Sequence, residues 1–496
     1  MKKTGLLALM LVCIMLFGTL VSCGGDQSDD TGSSSVSGTS GDAADGLVLP
    51  SEGFGGEDFT ILVSGHTSEN NAFNDFGYAE ENPDAVDSAI HKRNMLVEEQ
   101  LDVKIITIED FEASPKTKSM IVKNHTSGDC LYDAVLPIAY DVSSLAYDGK
   151  LSDLNSLSQY LNLENDWWDQ KANEDLEMNG IMFFTTGDFS VWANEVTACI
   201  TFNKTLADDN GIGASNLYTL ASEGKWTYDE LINAAKKCHN DLDGSQSPSL
   251  GDLYGLVTWD DAIYSVVNSI GVKCASVGED GKMKLTLNSE RTVSVITKYI
   301  EFCKQDDTVI NFQYTTAASH NEAIMQTFGD NKGLFLMIMF KNLSAFRDTQ
   351  VEYGILPYPK FDENQEEYYN SIAPWHVNYL AVPAIISDAD KSGAVLEALC
   401  YESTDTVVTA YYDKTLIGKT VRDEESAPML DIIFDTRIFD VGYYYEPGQI
   451  NKKLITELVR KDSTDFASMY AQYEPAATAA LEKINYFFQE TFATLG

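Results

Sequence analysis

In the first third of the chain, short apolar runs rich in β-branched and aromatic residues alternate with stretches whose apolar residues recur at helical spacing. Phe59 to Val63 has the length and residue types of a strand. Ser88 to Gln100, with Ile90, Leu96 and Val97 on one face, predicts a helix, and Val103 to Ile108 predicts the next strand. Lys116 to His125 predicts a second helix. Tyr132 to Pro137 predicts a third strand, ending in a loop that carries Tyr140 and Asp141. Such alternation predicts an open α/β sheet, whose ligands bind beyond the carboxyl ends of the strands. Tyr140 and Asp141 are therefore candidate binding residues, set against the simpler reading of a surface loop.

Asp166 to Asp169 opens a polar helix in which Trp167 and Trp168, about 100° apart, cannot share a face. Then Gly180 to Lys204 presents two apolar runs, Ile181 to Thr186 and Val196 to Phe202, around a polar middle. Each predicts a buried strand, and Trp192 lies in the connecting loop beside Asn194 and Glu195. A Trp beside an amide and a carboxylate suits a ring stacked on a polar ligand and hydrogen-bonded at its edge, while a core Trp is the simpler reading. Tyr254 to Thr258 predicts another strand, with Trp259, Asp260, Asp261 and Tyr264 at its exit, where aromatic and acidic groups coincide.

Arg291 to Lys304 predicts a helix and Asn331 to Phe340 a buried strand, too short to span a membrane. Leu356 to Pro359 is stiff and extended. Trp375 and His376 precede a predicted strand from Asn378 to Val382 and are candidates for a cleft, His376 with no acid–base role. Helices are predicted for Lys391 to Cys400, Asp405 to Tyr411, Ser426 to Asp435 and Phe466 to Thr494. Thr227, with Glu230 three residues on, predicts a capping box.

At the amino terminus, Lys2 and Lys3 precede an apolar run of about 16 residues, short of the roughly 20 a permanent span needs. Small residues and Cys23 follow, so residues 1–22 are expected to be a secretory signal. Gly24 to Gly46 is Gly, Ser, Asp and Thr with little to bury; residues 23–55 are expected to form a tether, with a reach of about 25–30 Å. The remaining length is too great for one ordinary core and predicts two lobes.

A formal net charge of −42 excludes nucleic acid and anionic lipid as partners of the body, and disfavours an anionic ligand. Cys130, Cys199, Cys238, Cys274, Cys303 and Cys400 form no C-x-x-C pair. Free thiols are expected, with Cys238–Cys274 the one pairing considered. The histidines are dispersed, no G-x-S-x-G occurs, and no cofactor is expected. Asp241, Asp243 and Asp252 suggest either a metal loop or an Asx-rich turn; the turn is favoured and no metal is expected.

Several segments resemble extracellular solute-binding proteins of ABC importers, the family of maltose-binding protein. These are Ala89 to Ile105, the crossover ending in Phe202-Asn203-Lys204, the helix start at Trp226 to Glu230, and Asn331 to Phe361. Leu20-Val21-Ser22-Cys23 resembles the bacterial lipobox, and Arg422 to Leu430 a segment common in a clostridial branch. Where the family's maltose-binding member carries an aromatic cluster, this chain has Phe340, Lys341 and Asn342, which argues against a maltodextrin.

The resemblance implies a two-lobed, periplasmic-binding-protein-like α/β fold with hinge crossovers and a cleft between lobes. It divides the chain into lobe 1 (56–190 and 357–412) and lobe 2 (191–356, with C-terminal helices over 413–496). It further implies a non-enzyme, acylated at Cys23 on the outer face of a Gram-positive membrane. This would capture a small solute, a mono- or oligosaccharide first, and deliver it to ABC permease subunits. The rival expectations are a lipid-anchored glycosidase and a surface adhesin.

Overall fold

The structure is a computed structural model describing residues 46–65, 73–78, 84–112, 116–412 and 423–495. The expected signal, Cys23 and Arg422 lie outside the described residues.

The first lobe is built on β1 (Glu57–Ser64), β2 (Val103–Asp110) and β3 (Ala134–Leu136), all parallel in the order β2-β1-β3. Phe59, Ile61, Leu62 and Val63 are all buried, as expected for a central parallel strand covered on both faces. The intervening helix Ala85–Leu101 starts at a capping box made by Asp84 and Asp87, and ends at Asp102 in the left-handed conformation. Part of the expected tether belongs to this body. Leu47, Leu49 and Phe54 pack on the core, and the Phe54 N–H donates to the Leu101 carbonyl at 2.8 Å.

The second lobe carries β4 (Ala198–Asn203), β5 (Tyr254–Thr258), a hairpin of β6 (Ala275–Val277) and β7 (Met283–Leu285), β8 (Val309–Asn311), β9 (Gly333–Met339) and β10 (Tyr353–Leu356). Five of these form a sheet in the order β10-β4-β9-β5-β8; β4 is antiparallel to both neighbours, whereas β5 is parallel to β8 and β9. Two short parallel strands, β11 (Asn370–Ser371) and β12 (Arg437–Ile438), pair beside the crossovers.

Three expectations need correction. Ile181 to Thr186 and Asn378 to Val382 are buried and extended but form no ladder. They pair one residue at a time, through Met178–Ile181, Thr185–Leu380, Val135–Ala381 and Ile138–Asn378. Trp192 lies not in an open loop but in a helical turn, Val191–Glu195, nucleated by the Ser190 hydroxyl, which accepts the Ala193 N–H at 3.1 Å. Trp167 and Trp168 precede their helix, Gln170–Leu176, so helical spacing does not set their directions. Both indoles donate to one buried carboxylate, Glu397, at 3.1 and 2.9 Å, and neither ring is left for a cleft.

All six cysteines of the body are free. The carboxylates of Asp241, Asp243 and Asp252 accept from the backbone N–H groups of Gly244, Ser245 and Ser249, as in an Asx-rich turn, and their oxygens also lie within 4.8 Å of one another, the spacing a metal loop would have. The last helix, Phe466–Leu495, touches both lobes. Phe487 meets Tyr147 and Phe183, while the Asn485 amide makes both hydrogen bonds to the Met283 backbone.

Candidate functional site

The Ala139 N–H, just beyond the carboxyl end of β3, donates to the Val377 carbonyl at 2.9 Å. That bond sets the helix Ala139–Tyr147 against the turn at Ala373–Val377, where Pro374 fixes the turn and the His376 N–H closes onto the Ala373 carbonyl at 3.1 Å. Tyr140 and Trp375 consequently meet, with ring centroids 4.6 Å apart and planes tilted by 51°.

Lys452 reaches this pair from the other side. Its ammonium stands 4.0 Å from the Trp375 centroid and 4.4 Å from that of Tyr140, within the range of a cation–π contact. Lys452 belongs to the helical segment Asn451–Thr456, which is held to the helix Ala262–Ser269 after β5 by a 2.7 Å bond between the hydroxyls of Tyr264 and Thr456. Glu446 faces Lys452 at 2.5 Å. Glu446 is held at φ 42°, a left-handed conformation that costs a non-glycine residue about 1 kcal/mol or more. Adjacent tyrosines join the two sides: Tyr443 stacks edge-on to Tyr264, whereas the Tyr444 carbonyl accepts from Ser143 at 2.6 Å.

Several polar atoms here lack a hydrogen-bond partner within the protein: the hydroxyls of Tyr140 and Tyr443, the Trp375 indole nitrogen and both amide atoms of Asn451. A buried polar group left unpaired costs about 1–3 kcal/mol, so several in one region mark a place suited to a polar ligand. Burial, followed by the charges of Glu446 and Asp261, pushes the Tyr140 hydroxyl far up. Burial also raises the Asp261 carboxyl, against the pull of Arg460 and Lys452.

Trp192 lies behind the turn and is buried, its indole N–H donating to the His376 carbonyl at 2.8 Å. Its backbone N–H donates to Asp75 at 3.0 Å, as does the Ser190 hydroxyl at 2.9 Å. Burial pushes Asp75 up to about 7, against those two bonds and the nearby Arg93. Glu195 is raised by burial, opposed by the Tyr411 hydroxyl, Arg347 and Lys341. Lys341, 5.8 Å above the Trp192 ring, is lowered by its own burial to about 8. Asn194 accepts from Arg437 at 2.5 Å, and Arg437 also pairs with Asp169 at 2.7 Å. Phe340 is buried against Phe434, and Asn342 lies half-buried in the helical turn after β9.

The remaining candidates lie elsewhere. Asp141 turns to Lys118 at 4.0 Å. Trp259 stacks on Phe312, and Asp260 accepts from Asn311 at 2.9 Å, from Arg460 at 3.1 Å and from the Tyr314 hydroxyl. Both line a separate cavity of about 350 Å³ with Tyr299 and Arg460. Tyr264 borders the aromatic pair's site, but its hydroxyl is engaged with that of Thr456. Sequence reasoning missed Tyr443, Glu446, Asn451, Lys452 and Asp75. The run Gly442-Tyr-Tyr-Tyr-Glu-Pro-Gly448 was the available signal, three aromatics closing on a turn.

No family model and no curated protein matches the sequence. Solved structures do. An ABC substrate-binding protein of Listeria monocytogenes in complex with cycloalternan aligns with a TM-score of 0.51 at 16% identity, covering 88% of this chain and 99% of that one. Maltose-bound MalE3 of T. maritima aligns at 0.51 and 13% identity, over 86% and 99% of the two chains. A solute-binding protein of Thermotoga lettingae bound with α-D-tagatose aligns at 0.50 and 13% identity, over 86% and 100%. At these identities the likeness is one of fold, that of two-lobed solute-binding proteins.

Proposed function

We propose that this protein is an extracellular solute-binding protein that captures a carbohydrate between its lobes and hands it to the permease of an ABC importer. The observation that carries this reading is the Tyr140–Trp375 pair, faced across the lobes by Lys452 and surrounded by polar atoms with no partner in the protein. Sugars combine apolar ring faces with hydroxyl edges that both donate and accept, so stacking surface plus unpaired donors and acceptors matches their chemistry.

Capture would proceed by hinge closure. A ligand touching both lobes shifts the equilibrium toward the closed state by as much as its affinity for that state exceeds its affinity for the open one. Acylation of Cys23 would hold the protein at the outer face of the membrane, a reading supported by the lipobox-like Leu20-Val21-Ser22-Cys23. The solved neighbours are binding proteins, which supports a role without catalysis. A thermal-shift screen with mono- and oligosaccharides tests the reading, because a ligand of the native state raises the melting temperature by mass action. A screen in which no sugar stabilises the protein would overturn it.

A further inference from the structure

Lys452 lies where the cationic group of a ligand would lie. Its ammonium stands against two aromatic faces at 4.0 and 4.4 Å, with Glu446 as counter-ion at 2.5 Å. Asp261 adds a second half-buried carboxylate whose ionisation is felt at Tyr140. Two π faces and one carboxylate around the ammonium, with Asp261 near enough to feel its charge, make a receptor for a cation, filled here from within the chain. About a third of the Lys452 side chain is exposed, so its ammonium can return to water when displaced.

The charge balance decides which ligands can replace it. A neutral sugar that displaced Lys452 would leave Glu446, only 18% exposed, without its counter-charge. An anion would meet Glu446 and Asp261 directly. A ligand with its own ammonium restores both the ion pair and the cation–π contacts, and leaves the hydroxyls of Tyr140 and Tyr443 to bind ring hydroxyls.

We propose that the cleft takes an amino sugar with a free protonated amine, and that Lys452 is its internal stand-in, displaced on binding. The inference rests on the solute-binding reading above and narrows its substrate class.

Titration calorimetry at neutral pH with glucosamine oligomers, their N-acetylated counterparts and glucose oligomers tests it. The free amines should bind at least about tenfold tighter than either analogue, about the effect of one good cation–π contact and its ion pair. Lys452→Met should strengthen amine binding several-fold by removing the internal competitor, and Glu446→Gln should weaken it about tenfold. Melting of each unliganded variant checks that it is folded, and Lys452→Arg, which keeps the charge, should bind as wild type or more weakly. If Lys452→Met weakens the binding of whichever sugar binds, Lys452 is a direct ligand contact and the inference falls while sugar binding stands. Equal or tighter binding of the neutral analogues has the same consequence. If none of the three series binds and the wider sugar screen is also silent, both readings fall.

Discussion

The indole nitrogen of Trp192 donates to the carbonyl oxygen of His376 at 2.8 Å, and so ties the first interlobe crossover to the turn that presents Trp375. Trp192 thus acts on the site through the backbone beneath it. With 5% of its surface exposed, its ring contributes mainly to the core. Trp192→Ala is expected to destabilise the unliganded protein by about 3–5 kcal/mol, the range for emptying a large aromatic site. Trp192→Phe keeps most of the volume but removes the indole bond to the His376 carbonyl, and should cost about 1 kcal/mol. Urea melts of both variants check this; a wild-type midpoint for Trp192→Ala would place the ring outside the core.

The opposite balance is expected at the aromatic pair. Tyr140→Phe removes a hydroxyl with no partner in the protein, so unliganded stability should stay level or rise slightly while sugar binding weakens. Trp375→Ala should weaken binding by about 1–3 kcal/mol through loss of a stacking face. Calorimetry and melting on the same samples separate the two effects. Full-affinity binding by Trp375→Ala would move the site away from this pair.

Asp75 gives the fold a dependence on pH. Its folded value of about 7 stands above the ordinary aspartate value of 3.8, so the folded protein binds the proton more tightly than the unfolded chain. Its contribution is then fully present below about 4 and declines as pH rises through 7. Asp188 and Asp440, each raised by burial to about 6, act in the same direction. Stability should therefore fall between about pH 4 and pH 7, and Asp75→Asn, which cannot ionise, should flatten part of that slope. Denaturation midpoints across the range test this; an unchanged slope in Asp75→Asn would assign the effect to other groups.

How much of this was legible in the sequence follows from which interactions are local. The rule that ligands sit at strand carboxyl ends reaches Tyr140, and aromatic punctuation before an apolar run reaches Trp375, because both signals lie within a few residues. The same rule applied to β5 selects Trp259 and Asp260, yet these are absorbed by Phe312, Asn311 and Arg460, partners 50 to 200 residues away. Glu446 follows three tyrosines at a turn, but Lys452, in the helical stretch that comes next, is locally indistinguishable from a solvated lysine. Only the folding of that stretch against the helix after β5 brings them to the aromatic pair. Likewise, Ile181 to Thr186 carries the composition of a strand, but whether buried extended chain forms a ladder depends on neighbours that no local pattern specifies.

Anchoring is a separate prediction, carried by Cys23. Cys23→Ala should release the protein from membranes into the soluble fraction, and mass spectrometry of the wild type should find acyl chains on that residue. An unmodified Cys23 in membrane-bound wild type would rule the anchor out.

Gly448 links the last helix to the site. It takes φ +59°, and a Cβ there would lie 2.7 Å from the Ala477 nitrogen and 2.9 Å from the Ala476 carbonyl carbon, both backbone atoms of the helix Phe466–Leu495. Neither atom can swing aside as a side chain would, so an added methyl must push the loop. Glu446 and Lys452 flank that loop, and its displacement carries through to the ion pair over Tyr140 and Trp375. Gly448→Ala is expected to lower unliganded stability by about 1–3 kcal/mol and to weaken sugar binding as well. Gly149→Ala supplies the control. It has a similar φ, +65°, but nothing within 4 Å of the added Cβ, so it should cost about 1 kcal/mol of stability and leave binding unchanged. If both variants lose stability yet bind equally well, the loop's position does not govern the site, and the coupling between the last helix and the cleft is absent.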